Sequence, residues 1–120
     1  MKKLLAAGLL VAATAAVPAV AAVPVDAGRA ASYQGSLMTV EGSALVKPAH
    51  APRLGGVDVA LGSGNNQSAL IAYIDKGDLQ KFPDLKTLNG KTVDVTGVIE
   101  MDQGQPLIRL KSPQQLTVAR

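Results

Sequence analysis

Tyr73, Lys91, Arg109 and Lys111 are the residues of this 120-residue chain whose types and spacing could act together in recognition. Single-stranded nucleic acid is held by a cationic groove that follows its phosphates and by aromatic rings on which bases stack, each stacked base worth roughly 1 to 3 kcal/mol. Tyr73 is the one aromatic residue on a predicted strand, whereas Phe82 reads as core and Tyr33 as part of a leader. Lys91, Arg109 and Lys111 supply positive charge, with Lys47 and Arg53 as neighbours. With a single ring, affinity would rest on phosphate contacts, which salt weakens steeply. An ordinary solvated face accounts for the same basic residues, because exposed charges by themselves contribute little.

Other chemistries find fewer parts. His50 is the only histidine and the chain has no cysteine, whereas a metal site draws on several such ligands. No metal or other cofactor is therefore expected. Asp75 and Asp78 stand three apart and could resemble a carboxylate pair, but Asp78 reads as a helix cap and no base lies nearby in sequence. With no nucleophile, acid and base assembled, the chain reads as a non-enzyme. The run GSGNNQ at 62–67 lacks the third glycine of a dinucleotide loop and leads into a strand. It reads as a turn, and as a possible rim of a ligand face. Asn66-Gln67-Ser68 is formally a glycosylation sequon, of consequence only in a eukaryotic secretory pathway.

The elements that must position these residues are mainly strands. Residues 37–47 alternate, with Met38, Val40, Gly42, Ala44 and Val46 on one parity. Residues 57–61 alternate again, with Val57, Val59 and Leu61 inward. The third run, 68–75, is apolar on both parities, and its short length and turn boundaries favour a strand. Asp78 then caps a predicted short helix that Pro83 stops, with Phe82, Leu85 and Leu88 as anchors. The fourth strand spans about 92–101 and the fifth about 106–111, joined by a turn at Gln103-Gly104. That turn pairs Met101 with Pro106, Ile99 with Ile108, and Gly97 with Leu110. Ser112-Pro113 starts one helical turn, after which Leu116 and Val118 return to the core.

The N-terminus carries two lysines, an apolar run from Leu4 to Val17 and an Ala19-Val20-Ala21 ending, the pattern of a signal peptide over 1–21. An uncleaved anchor is the alternative; with cleavage before Ala22 no stable membrane anchor remains. Residues 22–36 mix Ala, Pro, Gly and Ser without a period and read as a flexible leader, leaving one domain over 37–120. Without Lys2 and Lys3 the 12 basic residues fall to 10 against 9 acidic, a net charge of +1. A near-neutral chain lacks the broad positive field of a strong nucleic-acid binder. It also has no disulfide, so packing alone must hold it.

Leu88, Gly90, Lys91, Val93, Val95 and Gly97, then Pro106, Ile108, Leu110, Ser112, Pro113 and Gln115, form a spaced pattern over 88–118. That stretch is similar to the C-terminal part of small exported bacterial OB-fold domains. Five strands with a short helix between the third and fourth likewise resemble the OB-fold, a five-stranded barrel. The resemblance implies a curved sheet bent at Gly42 and Gly97, and a fold used for single-stranded nucleic acid, oligosaccharide or protein ligands. The expected protein is a periplasmic or secreted binding module. Its expected ligand is a weakly held single-stranded nucleic acid or other anionic polymer, on a face near Tyr73, Arg109 and Lys111. The alternative is an envelope protein-interaction module with no nucleic-acid ligand.

Overall fold

The computed structural model describes residues 23–49 and 53–119; the expected signal peptide and His50 lie outside the described residues. Among the described residues eight strands make one sheet: β1 (Val25–Asp26), β2 (Leu37–Pro48), β3 (Val57–Ser63), β4 (Asn66–Ile74), β5 (Thr92–Val98), β6 (Glu100–Asp102), β7 (Gln105–Leu110) and β8 (Leu116–Val118). The strand order is β6-β7-β4-β3-β2-β5-β8, with β1 parallel to β2 off this path. β4 and β7 run parallel and the other neighbours on the path antiparallel. No helix among the described residues is long and apolar enough to cross a membrane.

The alternation read from the sequence places the core on one face. Val40, Ala44, Val59, Leu61, Leu70, Ala72, Ile74, Val93, Val95, Ile108 and Leu110 are buried together, with Phe82 closing one end. Between β4 and β5 the expected helix capped by Asp78 is replaced by two 3-10 turns, Lys76–Lys81 and Leu85–Leu88. Asp75 takes the cap, its carboxylate accepting from the Gly77 amide at 3.0 Å. Pro83 and the left-handed backbone of Asp84 (φ 62°) prevent a continuous helix. Leu79, Leu85 and Leu88 still pack on the core as anchors.

The segment read as a leader belongs to the sheet from Val25 onward. β1 lies along β2, with Val25 opposite Val40 and Asp26 opposite Glu41, and Ala27–Tyr33 continues as a 3-10 helix with Ala27 and Ala30 buried. Small residues allow that approach: a Cβ on Gly42 would stand 3.1 Å from the Ala27 Cβ and 2.8 Å from the Gly62 carbonyl oxygen. One row is electrostatically unfavourable. Asp26, Glu41 and Asp94 are register neighbours across β1, β2 and β5. A hydrogen bond with Asp94, then the charges of Asp94 and Asp26 and the loss of water, hold the Glu41 carboxyl above its ordinary pKa.

The expected barrel does not close. The β6/β7 hairpin keeps the predicted register at Met101 and Pro106, then stops after Glu100 opposite Leu107. Ile99 leaves the ladder because its N–H donates to Ser36 O at 3.0 Å and its C=O accepts from Gly35 N at 2.7 Å. The predicted pairing of Gly97 with Leu110 is therefore not made, and Gly97 has its register partner, Met38, on the β2 side. The outer edge of β5 at Val93–Val95 is taken by β8. What remains between β5 and β7 is a seam spanned by the side chain of Gln115. Its Nε2 donates to Thr96 O at 3.0 Å on β5 and to Arg109 O at 3.2 Å on β7. Its Oε1 accepts from Lys111 N at 2.7 Å and Ser112 N at 3.0 Å.

Two outcomes test this seam. A Cβ on Gly97 would sit 2.5 Å from Ile108 Cγ2, in a side chain with no exposed surface. Gly97→Val is therefore expected to destabilise by about 1–3 kcal/mol through overpacking, read as a lower denaturant midpoint with an unchanged slope. Gln115→Ala removes four hydrogen bonds with one side chain and should cost about 1–3 kcal/mol. Amide exchange at Lys111 and Ser112 should accelerate more than at Val59; uniform acceleration would mean that the clasp is not local.

Candidate ligand face around Tyr73

Register places the key residues in one row. Lys47 on β2 faces Asp58 on β3, Asp58 faces Tyr73 on β4, and Tyr73 faces Arg109 on β7. Strand alternation points this row to the side of the sheet opposite the main core. Ala49, Ala60, Ile71, Tyr73 and Leu107 form a second small buried cluster on that side. β3 and β4 are consequently covered on both faces, the physical meaning of the two apolar parities in 68–75.

Tyr73 is only 5% exposed. The guanidinium carbons of Arg53 and Arg109 stand 5.1 and 5.9 Å from its ring centroid, within cation–π range. Its hydroxyl donates to Asp75 Oδ1 at 3.1 Å. Burial, then the hydrogen bond to Asp75 and that residue's charge, raise the phenol's pKa, while the charges of Arg53 and Arg109 pull the other way. The Gly77 amide, then the Tyr73 hydroxyl, keep Asp75 below the ordinary carboxylate range, helped by the charge of Lys111.

Arg53, Arg109 and Lys111 are already paired with carboxylates, whereas Lys47 at the end of the row is bonded to Ser68 Oγ at 3.5 Å. Arg53 lies 3.7 Å from the buried Asp58 and is hydrogen bonded to Asp102 on β6. Arg109 Nε donates to both Glu100 carboxylate oxygens at 3.2 Å. Lys111 approaches Asp78 at 3.9 Å, and Asp78 is also paired with Lys81 at 2.9 Å. Three of the four expected site residues thus gather in one region: Tyr73, Arg109 and Lys111. Lys91 stands apart at the entry to β5, where its carbonyl accepts from Ala44 N on β2.

Arg53 does lie beside the face as its sequence neighbourhood suggested, whereas Asp58, Asp75 and Asp102 are parts of it that spacing did not point to. Asp58 alternates with the inward Val57 and Val59 and so reads as solvated, yet it is 2% exposed because Arg53 covers it. A base could stack on Tyr73 only after Arg53 or Arg109 moved aside. Among the described residues, no group of three or more His, Cys, Asp or Glu side chains is arranged to hold a metal ion.

The phenol provides a direct check. A raised folded-state pKa means that the folded chain holds this proton more tightly, so the contribution is present below the ordinary tyrosine pKa and lost as pH rises through the folded value. An absorbance titration should show one phenol ionising late, and Tyr73→Phe should remove that phase. Persistence of the late phase in Tyr73→Phe would refute the assignment. No protein-family model, curated protein or solved structure matches this chain.

Proposed function

We propose that the chain is a small exported, non-enzymatic binding module of OB-fold type that docks on another protein of the cell envelope. Five long strands, β2, β3, β4, β5 and β7, with short helical turns between the third and fourth, support the OB-fold reading. The lysine-led apolar N-terminus supports export to the periplasm or beyond.

The observation that carries the choice of partner is the pair Leu37 and Val98. They face each other in register at one end of β2 and β5 and are 69% and 49% exposed. Apolar side chains side by side in water gain about 25 cal/mol per Å² when a partner covers them. The face around Tyr73 supplies the opposite conditions for nucleic acid: its ring is buried and the two arginines over it have carboxylate partners. An oligosaccharide stacking on that ring would meet the same cover.

Crosslinking the mature chain from Ala22 in envelope extract tests the reading. The wild type should give a saturable adduct with one protein, and the pair Leu37→Lys and Val98→Glu, which sets opposite charges across the ladder, should abolish it. Both positions are exposed, so the variant's melting should stay within about 0.5 kcal/mol of wild type. A titration with labelled single-stranded oligonucleotides supplies the contrary outcome. Binding at low salt that Arg109→Ala and Lys111→Ala remove would replace this reading with the nucleic-acid one.

A further inference from the structure

The second half of β2 has an edge that no strand covers. Ala44 is bonded on that side to the connection before β5, its N–H donating to Lys91 O and its C=O accepting from Gly90 N, both at 2.8 Å. One step along, the Val46 N–H donates to the side-chain Oδ1 of Asn89 at 2.6 Å. In an antiparallel ladder the N–H and C=O of one residue point the same way, so the Val46 carbonyl also faces this edge and away from β3. Pro48 then ends the strand without an N–H to offer. Asn89 is thus a side-chain stand-in for the strand that stops short.

Beside this edge runs a groove of about 280 Å³ lined by Val46, Lys47, Pro48, Val57, Lys86 and Asn89. Its floor is apolar and its two cations are available. Among the described residues, neither Lys47 nor Lys86 has a carboxylate within ion-pair distance, unlike Arg53, Lys81, Arg109 and Lys111. Lys47 is tied only to Ser68 Oγ at 3.5 Å. The charge that the Tyr73 face consumes internally is therefore presented here.

We propose that this groove takes an extended acidic segment of the partner protein, laid along the free edge of β2. The Val46 carbonyl accepts a main-chain N–H of the segment, a contact that strand addition uses. Its carboxylates meet Lys47 and Lys86, and an apolar side chain between them covers Val46 and Val57. The short register, closed by Pro48 on one side and by Gly90 and Lys91 on the other, limits the segment to a few residues. The proposal rests on the protein-docking reading and names the chemistry of the partner's contact.

The test uses the mature chain from Ala22, isotope-labelled for amide NMR. The probe is a blocked Val-Asp-Val-Asp-Val peptide, with its Val-Lys-Val-Lys-Val counterpart as control. The acidic peptide should shift Val46, Lys47, Val57, Lys86 and Asn89 at low salt, and added salt should weaken it. Lys47→Glu with Lys86→Glu should weaken binding about tenfold, whereas the same charge change at Arg29 and Lys111 should not. Equal binding of the basic peptide, shifts confined to another face, or no shifts would each overturn the groove assignment. A wild-type chain that forms the envelope adduct but ignores the peptide would overturn this assignment alone. Loss of the adduct itself would overturn the underlying reading.

Discussion

One carboxamide holds together the two strands whose separation decides the shape of this sheet. Gln115 reaches from the C-terminal turn to the backbone of both β5 and β7, and Ser112 orients it through a capping box on Pro113–Gln115. Main-chain pairing cannot do this, because β8 occupies one half of the β5 edge and Ile99 is bonded to Gly35 and Ser36. Bare backbone at Gly97 lets Ile108 come close enough for the side chain to span the gap. On one side of that clasp β7 meets β4 and Ile108 and Leu110 are buried, and on the other β5 pairs with β2.

The opposite face of the sheet depends on a different economy of charge. Arg53 and Arg109 approach Tyr73 while bound to Asp58, Asp102 and Glu100. A buried carboxylate such as Asp58 is tolerable only with a cation beside it, since an isolated charge loses its hydration on burial. Arg53 and Arg109 are therefore spent on covering a second small core. The edges are treated in a similar spirit. β1, β6 and β8 have two or three residues each, too short to template a long intermolecular ladder.

Local signals carried most of the elements. Alternation located β2 and β3, short length and turn boundaries located β4, Gln103-Gly104 located the hairpin turn, and Ser112-Pro113 located the last 3-10 turn, because each depends on residues close in sequence. What was not legible depends on long-range competition. Hairpin logic carries the β6/β7 register through Ile99, but Gly35 and Ser36, more than sixty positions earlier, take that residue's hydrogen bonds. The stretch around Ala27 and Ala30 has no period because it packs small side chains against Gly42, so its composition resembles a linker. At the ligand face, Tyr73, Arg109 and Lys111 were found from type and parity. The carboxylates that hold Arg53 over the Tyr73 ring were not, because Asp58 and Asp102 reach it from two separate strands.

The carboxylate row across β1, β2 and β5 has a bearing on how the domain meets acid. Asp26, held by Ser63 and the Gly28 amide, and Asp75, held by the Gly77 amide and Tyr73, both have depressed pKa values. Their contribution to stability is present above the ordinary aspartate range and lost as pH falls through their folded values. Glu41 has the opposite sign: its raised pKa makes its contribution largest in acid and lost as pH rises. Unfolding therefore takes up protons at Asp26 and Asp75 and releases one at Glu41. Within the row, Asp26 and Glu41 therefore pull in opposite directions: as pH falls, the contribution that Asp26 loses is opposed by the one that Glu41 gains.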